Sequence, residues 1–133
     1  IMSPGNELIN NKELDEIKKI FTRSNGVLFA HGFDKRRKNI FRVRSFEKKL
    51  SKKFNSKYVQ CVSSGTAAIK IALKALGVKH GDEVITQSFN FIATIEAILD
   101  CGAKPIITGI NDGLNMPVNE LSRLITRKTK AVI

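Results

Sequence analysis

The chain has 133 residues, of which 42% are hydrophobic, so it can bury a core and has the size of one domain or part of one. Its formal net charge is +11, and most of the excess lies in residues 1–57, which hold 15 basic and 6 acidic side chains. No apolar run approaches the ~18 residues of a membrane-spanning helix, and the N-terminal residues lack the pattern of a signal peptide. The sequence therefore predicts a cytoplasmic protein that does not enter a membrane.

The N-terminal part predicts one helix followed by a basic loop. Residues 6–24 carry a partial apolar stripe at helical spacing, and Asn25 with Gly26 ends it. Residues 34–44 form the most basic segment of the chain and are expected to be a solvated loop. His31, which precedes this loop, is more typical of a structural histidine than of a ligand.

From residue 45 onward, helices and strands alternate. Ser45 is expected to cap a helix that ends near Phe54, because its apolar residues fall on one face. The chain then predicts strands over residues 58–62, 83–87 and 104–110 and from Lys130, and helices over residues 66–76, 91–100 and 117–125. This alternation predicts a largely parallel sheet with helices on its faces.

Small polar residues stand where the strand at 58–62 meets the next helix. The N–H groups in the first turn of a helix are unpaired and carry partial positive charge, which suits a phosphate. Gly65 lets a ligand approach the backbone closely, and Ser64 and Thr66 can add hydroxyl donors. Residues 63–66 are also typical of an ordinary helix cap without a ligand, and taken alone they favour the cap over a ligand site.

The two cysteines, Cys61 and Cys101, lie inside apolar patterns and fit no metal-ligand spacing. They are predicted to be buried free thiols in a reducing compartment. The sequence predicts no metal site.

Six short motifs follow one another between residues 46 and 105. They are Phe-Glu at 46–47, Cys-Val-Ser-Ser-Gly-Thr-Ala-Ala at 61–68, Ala-Leu-Gly-Val at 75–78, Gly-Asp-Glu-Val-Ile at 81–85, Ser-Phe-Asn-Phe-Ile-Ala-Thr at 88–94 and Gly-Ala-Lys-Pro at 102–105. Their order and spacing resemble the DegT/DnrJ/StrS family of pyridoxal-phosphate-dependent sugar aminotransferases. The resemblance is dense over residues 45–133 and loose over residues 8–44.

The resemblance implies the fold of the aspartate aminotransferases, which is fold type I of the pyridoxal-phosphate enzymes. Residues 45–133 would begin the large α/β domain, with a largely parallel sheet flanked by helices, and residues 1–44 would precede it as a helix and a basic loop. Members of the family usually form homodimers with active sites at the interface. Residues 25–44 are therefore expected to reach a partner's active site or to be poorly ordered without it, and Arg36 and Arg37 are expected to face a nucleotide-sugar diphosphate.

The implied activity is transfer of an amino group from glutamate or glutamine to a keto group of a nucleotide-linked sugar. Such enzymes serve amino-sugar biosynthesis for surface polysaccharides such as lipopolysaccharide. Two alternatives remain open. Some members of the family dehydrate sugars, and the positive charge alone is also compatible with a nucleic-acid-binding module, although no binding motif accompanies it.

The resemblance also implies where pyridoxal phosphate binds. Ser64, Gly65 and Thr66 would hold its phosphate, and Phe91 would stack on its pyridine ring. Without the family, Phe91 would be expected to pack in the core. The chain departs from many relatives at Gln87, where they have proline, and at Asn90, where serine or threonine is usual. The Schiff-base lysine and the aspartate that pairs with the pyridine nitrogen are expected beyond residue 133, so no catalytic residue is assigned here and these residues alone are expected to be inactive.

Overall fold

The structure is a computed structural model that describes residues 8–23 and 40–133. The chain divides into two compact units, Ile1–Val59 and Gln60–Ile133. Several predictions lie outside the described residues, namely those for His31, for Arg36 and Arg37, and for most of the basic loop. The domain division at residue 45 stays a prediction.

The first unit contains two described helices, α1 (Asn11–Arg23) and α2 (Arg42–Lys53). Helix α1 lies within the predicted range, whereas α2 begins earlier than predicted and follows Phe41 without a side-chain cap. Ser45 is therefore not a cap. Its backbone N–H and its hydroxyl both donate to the carbonyl of Phe41, at 3.0 Å each, so Ser45 lies within the first turn. The guanidinium of Arg44 lies 4.8 Å from the centroid of the Phe41 ring, which is an attractive cation–π contact.

The second unit is an α/β layer structure. Its elements are α3 (Gly65–Ala75), β1 (Glu83–Gln87), α4 (Ile92–Asp100), β2 (Lys104–Thr108), α5 (Val118–Leu124) and β3 (Thr129–Val132). The strands form a sheet in the order β2-β1-β3, and both pairings are parallel. The predicted parallel sheet flanked by helices is confirmed.

Strand β1 is the centre of this unit. Val84, Ile85 and Thr86 of this central strand are each fully buried. Val84 packs into a cluster with side chains of α3, α4 and the adjoining turns, namely Leu73, Val78, Ala97, Ile98, Cys101 and Ala103. Successive side chains of a strand point to opposite faces, so Ile85 is buried on the other face. Helices α3 and α4 pack on each other, and α5 packs against β2.

The strand predicted at residues 58–62 is not formed, and the sheet does not include these residues. Two of their carbonyls accept hydrogen bonds from nearby side chains: Ser56 Oγ donates to Tyr58 O at 2.9 Å, and Gln60 Nε2 donates to Cys61 O at 3.0 Å. Such local bonds compete with ladder pairing. The prediction was wrong because β-prone residues form a strand only where a neighbouring strand pairs with them.

The two cysteines differ in burial. Cys101 is buried as predicted, whereas Cys61 is only half-buried, so the prediction for Cys61 was too strong. Neither is in a disulfide. Among the helices of residues 8–23 and 40–133, none is long and apolar enough to cross a membrane.

Candidate functional site

Helix α3 begins in an open, capped turn. Ser64 is its N-cap residue, and Ser64 Oγ accepts a hydrogen bond of 3.1 Å from the backbone N–H of Ala67. The first intrahelical bond runs from Ala68 N to Ser64 O at 3.0 Å, so the N–H groups of Gly65 and Thr66 come before the helical ladder. Gly65 and Thr66 are both exposed, and a Cβ added at Gly65 would meet no atom within 4 Å. The backbone of this turn is accessible to a ligand.

The turn differs from the predicted one in what precedes it. Residues 58–62 are not a strand, so α3 follows irregular chain rather than a strand end. The cap itself is local to Ser64 and does not need the strand. The donor set is therefore present without the predicted strand-to-helix geometry.

Phe91 lies at the start of α4. It is the N-cap residue of that helix, with extended backbone, and its side chain makes no cap hydrogen bond. Phe91 is 75% exposed, so the alternative that it packs in the core does not hold for the described residues. Because only residues 88–90 separate it from the end of β1, Phe91 lies at the carboxyl edge of the sheet. Parallel sheets of this kind bind ligands at that edge.

A hydrogen-bonded side chain holds the turn before Phe91. Asn90 Nδ2 donates to Thr86 Oγ1 at 2.8 Å. Asn90 Oδ1 accepts from Phe91 N at 2.8 Å and from Thr94 Oγ1 at 3.1 Å. In the sequence, Asn90 stands out only as a departure from relatives. The four-residue spacing of Thr86, Asn90 and Thr94 is the signal that could have drawn attention to it.

Other groups also gather at the carboxyl edge. Ser88 N donates to Thr108 O at 2.9 Å, which joins the ends of β1 and β2. A Cβ added at Gly109 would lie 3.0 Å from Glu120 Oε2, so a carboxylate of α5 approaches the residue that follows β2. Glu120 was not predicted from the sequence as a site residue. No motif placed it near a strand end, because its position depends on how α5 packs.

An ion pair crosses between α3 and α4. Lys70 Nζ lies 2.5 Å from Asp100 Oδ2, and both side chains are partly exposed. The hydrogen bond and charge of Asp100 raise the pKa of Lys70, and those of Lys70 lower the pKa of Asp100. Lys70 is therefore a paired cation at neutral pH, whereas a lysine that attacks an aldehyde must have a neutral amine.

The residues at the start of α3 fit a phosphate. They offer backbone N–H groups, hydroxyls and the positive end of a helix dipole, all open to solvent. The exposed ring of Phe91 offers an apolar face suited to a planar ring. Within the part of the chain that the structure describes, no group of three or more His, Cys, Asp or Glu side chains could hold a metal ion.

The fold defines a class of protein: the α/β pyridoxal-phosphate aminotransferases of fold type I, whose solved structures resemble it. Residues 34–133 match the model of the DegT/DnrJ/EryC1/StrS aminotransferase family. The chain belongs to that family, whose cofactor is pyridoxal phosphate. The resemblance of the sequence to this family is confirmed.

Three similar proteins illustrate the match. GDP-perosamine synthase of Vibrio cholerae is 38% identical over 89 residues, which are 66% of this chain and 24% of that protein. Spr1654 of Streptococcus pneumoniae is provisionally assigned as a sugar aminotransferase and was solved in its pyridoxal-phosphate form. It superposes with a TM-score of 0.79 at 28% identity, and the match covers 93% of this chain and 29% of the Spr1654 chain. NtdA of Bacillus subtilis with bound pyridoxamine phosphate superposes with a TM-score of 0.78 at 36% identity, and the match covers 97% of this chain and 28% of the NtdA chain. This chain spans about a quarter of the length of the curated relatives it matches.

Proposed function

We propose that the intact protein transfers an amino group from glutamate or glutamine to a keto group of a nucleotide-linked sugar, and that this chain supplies part of its pyridoxal-phosphate site. The observation that carries the proposal is the exposed ring of Phe91 at the carboxyl edge of a parallel sheet, in a chain of this aminotransferase family. The name of the Vibrio cholerae relative, GDP-perosamine synthase, supports a nucleotide-linked substrate.

The start of α3 is the proposed phosphate subsite. Gly65 and Thr66 would donate their backbone N–H groups, and the hydroxyls of Ser64 and Thr66 would complete the donor set. The helix dipole adds favourable potential for a dianion. Ser64 Oγ already accepts from Ala67 N, and its hydroxyl hydrogen can still donate to a phosphate oxygen.

Phe91 is the proposed partner of the cofactor ring. Stacking of aromatic rings is worth about 0.5–1.5 kcal/mol beyond area burial, and it fixes the orientation of the ring. When bound, pyridoxal phosphate supplies the electron sink that amino-group transfer requires. The start of α3 would bind the phosphate of the cofactor, and Phe91 would orient its pyridine ring. The C-terminal end of α3 leads into the turn before the amino end of β1. This direction supports a position for the first turn of α3 near the carboxyl edge of the sheet, where Phe91 lies.

The remaining parts of the proposal rest on the family. We propose a homodimer in the cytoplasm that serves amino-sugar biosynthesis for a surface polysaccharide such as lipopolysaccharide. The prediction that residues 25–44 reach the active site of a partner subunit, or are poorly ordered without one, falls largely outside the described residues. The lysine that bonds to the cofactor aldehyde and the aspartate at the pyridine nitrogen would be supplied by residues after 133.

The amino-donor half of the reaction gives the most direct test. The intact protein, loaded with pyridoxal phosphate, should release 2-oxoglutarate from glutamate or 2-oxoglutaramate from glutamine, at one equivalent per site when no sugar is added. The protein should then convert a nucleotide-linked keto sugar to a product with one more nitrogen, detected by mass spectrometry. If neither donor reacts, the proposed activity is wrong. Loss of a sugar hydroxyl without gain of nitrogen would assign the protein to the dehydratases instead.

The proposed subsites are tested by binding. Phe91→Ala should weaken binding of pyridoxamine phosphate and leave binding of inorganic phosphate unchanged, because only the former has a ring. Thr66→Val should weaken both ligands. Phe89→Ala, in the same turn and also exposed, is the matched control and should change neither. Equal effects of the two phenylalanine substitutions would contradict the role of Phe91.

A further inference from the structure

We propose that Asn90 is a positioning residue that sets the ring of Phe91 for the cofactor, by tying the start of α4 to the buried centre of β1. This inference rests on the proposed function, since it concerns the same site. Asn90 would not touch the cofactor. It would act through the backbone and ring of its neighbour.

The fixed end of this tie is Thr86. Thr86 is fully buried in the central strand, which is paired with β2 on one side and β3 on the other. Its Oγ1 accepts the 2.8 Å hydrogen bond from Asn90 Nδ2. Because Thr86 is buried and lies opposite Ile107 of β2, a group bonded to Thr86 has a defined position relative to the sheet.

The other end of the tie is the first turn of α4. Asn90 Oδ1 accepts from the backbone N–H of Phe91 at 2.8 Å and from Thr94 Oγ1 at 3.1 Å. Thr94 is only 4% exposed, so this oxygen is held by one backbone group and one buried hydroxyl. One amide group therefore fixes the position of Phe91 relative to both β1 and α4.

The ring of Phe91 needs such support. With 75% of the residue exposed, packing against the described residues restrains the ring little. The position of its backbone therefore decides where the ring lies. Stacking depends on ring offset and separation, so a shift at the backbone lowers its contribution.

The side-chain chemistry explains why asparagine suits this position. Its amide presents a donor and an acceptor on different atoms, so it can donate to Thr86 while it accepts from Phe91 and Thr94. A serine or threonine hydroxyl has a single oxygen, and an alanine has neither group. The tie described here is a property of asparagine in this chain.

The test compares two phosphate ligands, of which pyridoxamine phosphate carries a pyridine ring and inorganic phosphate does not. Dissociation constants for pyridoxamine phosphate and for inorganic phosphate are measured on the intact protein and on Asn90→Ala. The substitution should weaken pyridoxamine phosphate about 2- to 10-fold, the range expected for a disturbed ring contact. Binding of inorganic phosphate should not change. Thr86→Val removes the other partner of the same bond, preserves side-chain size, and should have an effect of the same kind if Asn90→Ala folds poorly.

Two controls separate positioning from general loss of structure. Asp82→Ala removes a comparable turn bond before the amino end of β1, where Asp82 Oδ2 accepts from Lys79 N at 2.9 Å, and should leave both constants unchanged. In a Phe91→Ala background, Asn90→Ala should have no further effect, since the ring through which it acts is gone.

The outcomes are distinct. Equal weakening of both ligands by Asn90→Ala, an effect that persists without the ring, or wild-type affinity would each overturn the role of Asn90. If the unsubstituted protein binds inorganic phosphate but gains nothing from the ring of pyridoxamine phosphate, the proposed cofactor site is wrong, and the role of Asn90 falls with it.

Discussion

Lys70 and Asp100 join the two helices that carry the proposed site. Lys70 Nζ of α3 donates to Asp100 Oδ2 at the end of α4, and the thiol of Cys101 donates to Lys70 O over 3.8 Å. Ser64 precedes α3 and Phe91 precedes α4, so these contacts join the two helices that follow the proposed ligand-binding turns. Partly exposed ion pairs contribute little to stability, and the buried packing between the helices contributes more.

The ion pair predicts a defined pH dependence. Lys70 lowers the pKa of Asp100 below its ordinary value of 3.8, so the stabilisation that Asp100 provides is present above that value and is lost as the pH falls through the lowered pKa. Asp100 raises the pKa of Lys70 above 10.5, so its contribution is lost only as the pH rises through the raised value. Asp100→Asn should therefore cause a small loss of stability at neutral pH, measured by urea unfolding.

The difference in unfolding free energy between the unsubstituted protein and Asp100→Asn should shrink toward both pH extremes, where one member of the pair loses its charge. It should also shrink at high salt, because salt screens exposed charges. Glu96→Gln removes an exposed carboxylate from the same helix and is the control, and its effect on stability at neutral pH should be smaller than that of Asp100→Asn. A difference that stays constant from acid to alkaline pH would show that the charges are not its cause.

Ser64 should have separable roles in stability and binding. Ser64→Ala removes the acceptor for Ala67 N, and loss of such a cap costs about 0.5–2 kcal/mol. Ser64→Asp keeps an acceptor at this position and should retain the free energy of unfolding. The new carboxylate should repel inorganic phosphate, so Ser64→Asp should weaken phosphate binding. If Ser64→Ala unfolds at the same urea concentration as the unsubstituted protein, the cap contributes nothing.

The elements that could be predicted from sequence are those decided by local chemistry. Strand β1 was predicted over residues 83–87 and is found there, because its turn residues and apolar run agree. Ser64 was one of the residues proposed as a cap, and its cap needs only the next three residues. The strand at residues 58–62 was wrong because pairing partners lie elsewhere in the chain and cannot be read from propensity.

The tie through Asn90 could not be predicted for a related reason. Its three hydrogen bonds span the end of a strand, a turn and the first turn of a helix. Their geometry depends on the residue at which β1 ends and on the angle at which α4 leaves it. If β1 ended one residue earlier or later, Asn90 would be turned away from Thr86. Sequence patterns do not define the ends of strands and helices that closely.

The core on the α3 and α4 side should depend strongly on Ile98. This residue is fully buried in a cluster with Val84 and Leu73, so Ile98→Ala should lower the free energy of unfolding by about 2–5 kcal/mol. Leu99→Ala is a matched control, since Leu99 is the next residue of the same helix and is 56% exposed. Its effect should be much smaller. Comparable losses for both substitutions, measured by urea unfolding, would contradict the described packing of α4.

Two glycines with similar backbone should respond differently to alanine. Gly77 and Gly102 have φ values of +76° and +78°, a conformation that costs other residues about 1–2 kcal/mol. A Cβ at Gly77 would meet no atom within 4 Å, whereas one at Gly102 would lie 3.4 Å from the backbone N and Cα of His80. That backbone belongs to the turn in which Asp82 N donates to Lys79 O, so the atoms next to Gly102 are part of the entry to β1.

Gly102→Ala should therefore destabilise slightly more than Gly77→Ala, because a contact of 3.4 Å with His80 lies at the short limit of ordinary van der Waals distance. Gly77→Asn and Gly102→Asn test the two terms, because asparagine tolerates this backbone conformation better than alanine does. Gly77→Asn should recover much of the loss seen with alanine, whereas Gly102→Asn should recover less, since its larger side chain lies next to the backbone of His80. Midpoints of thermal unfolding measure all four variants. Equal losses at the two positions, or equal recovery with asparagine, would show that the close approach of His80 to Gly102 does not limit what this turn accepts.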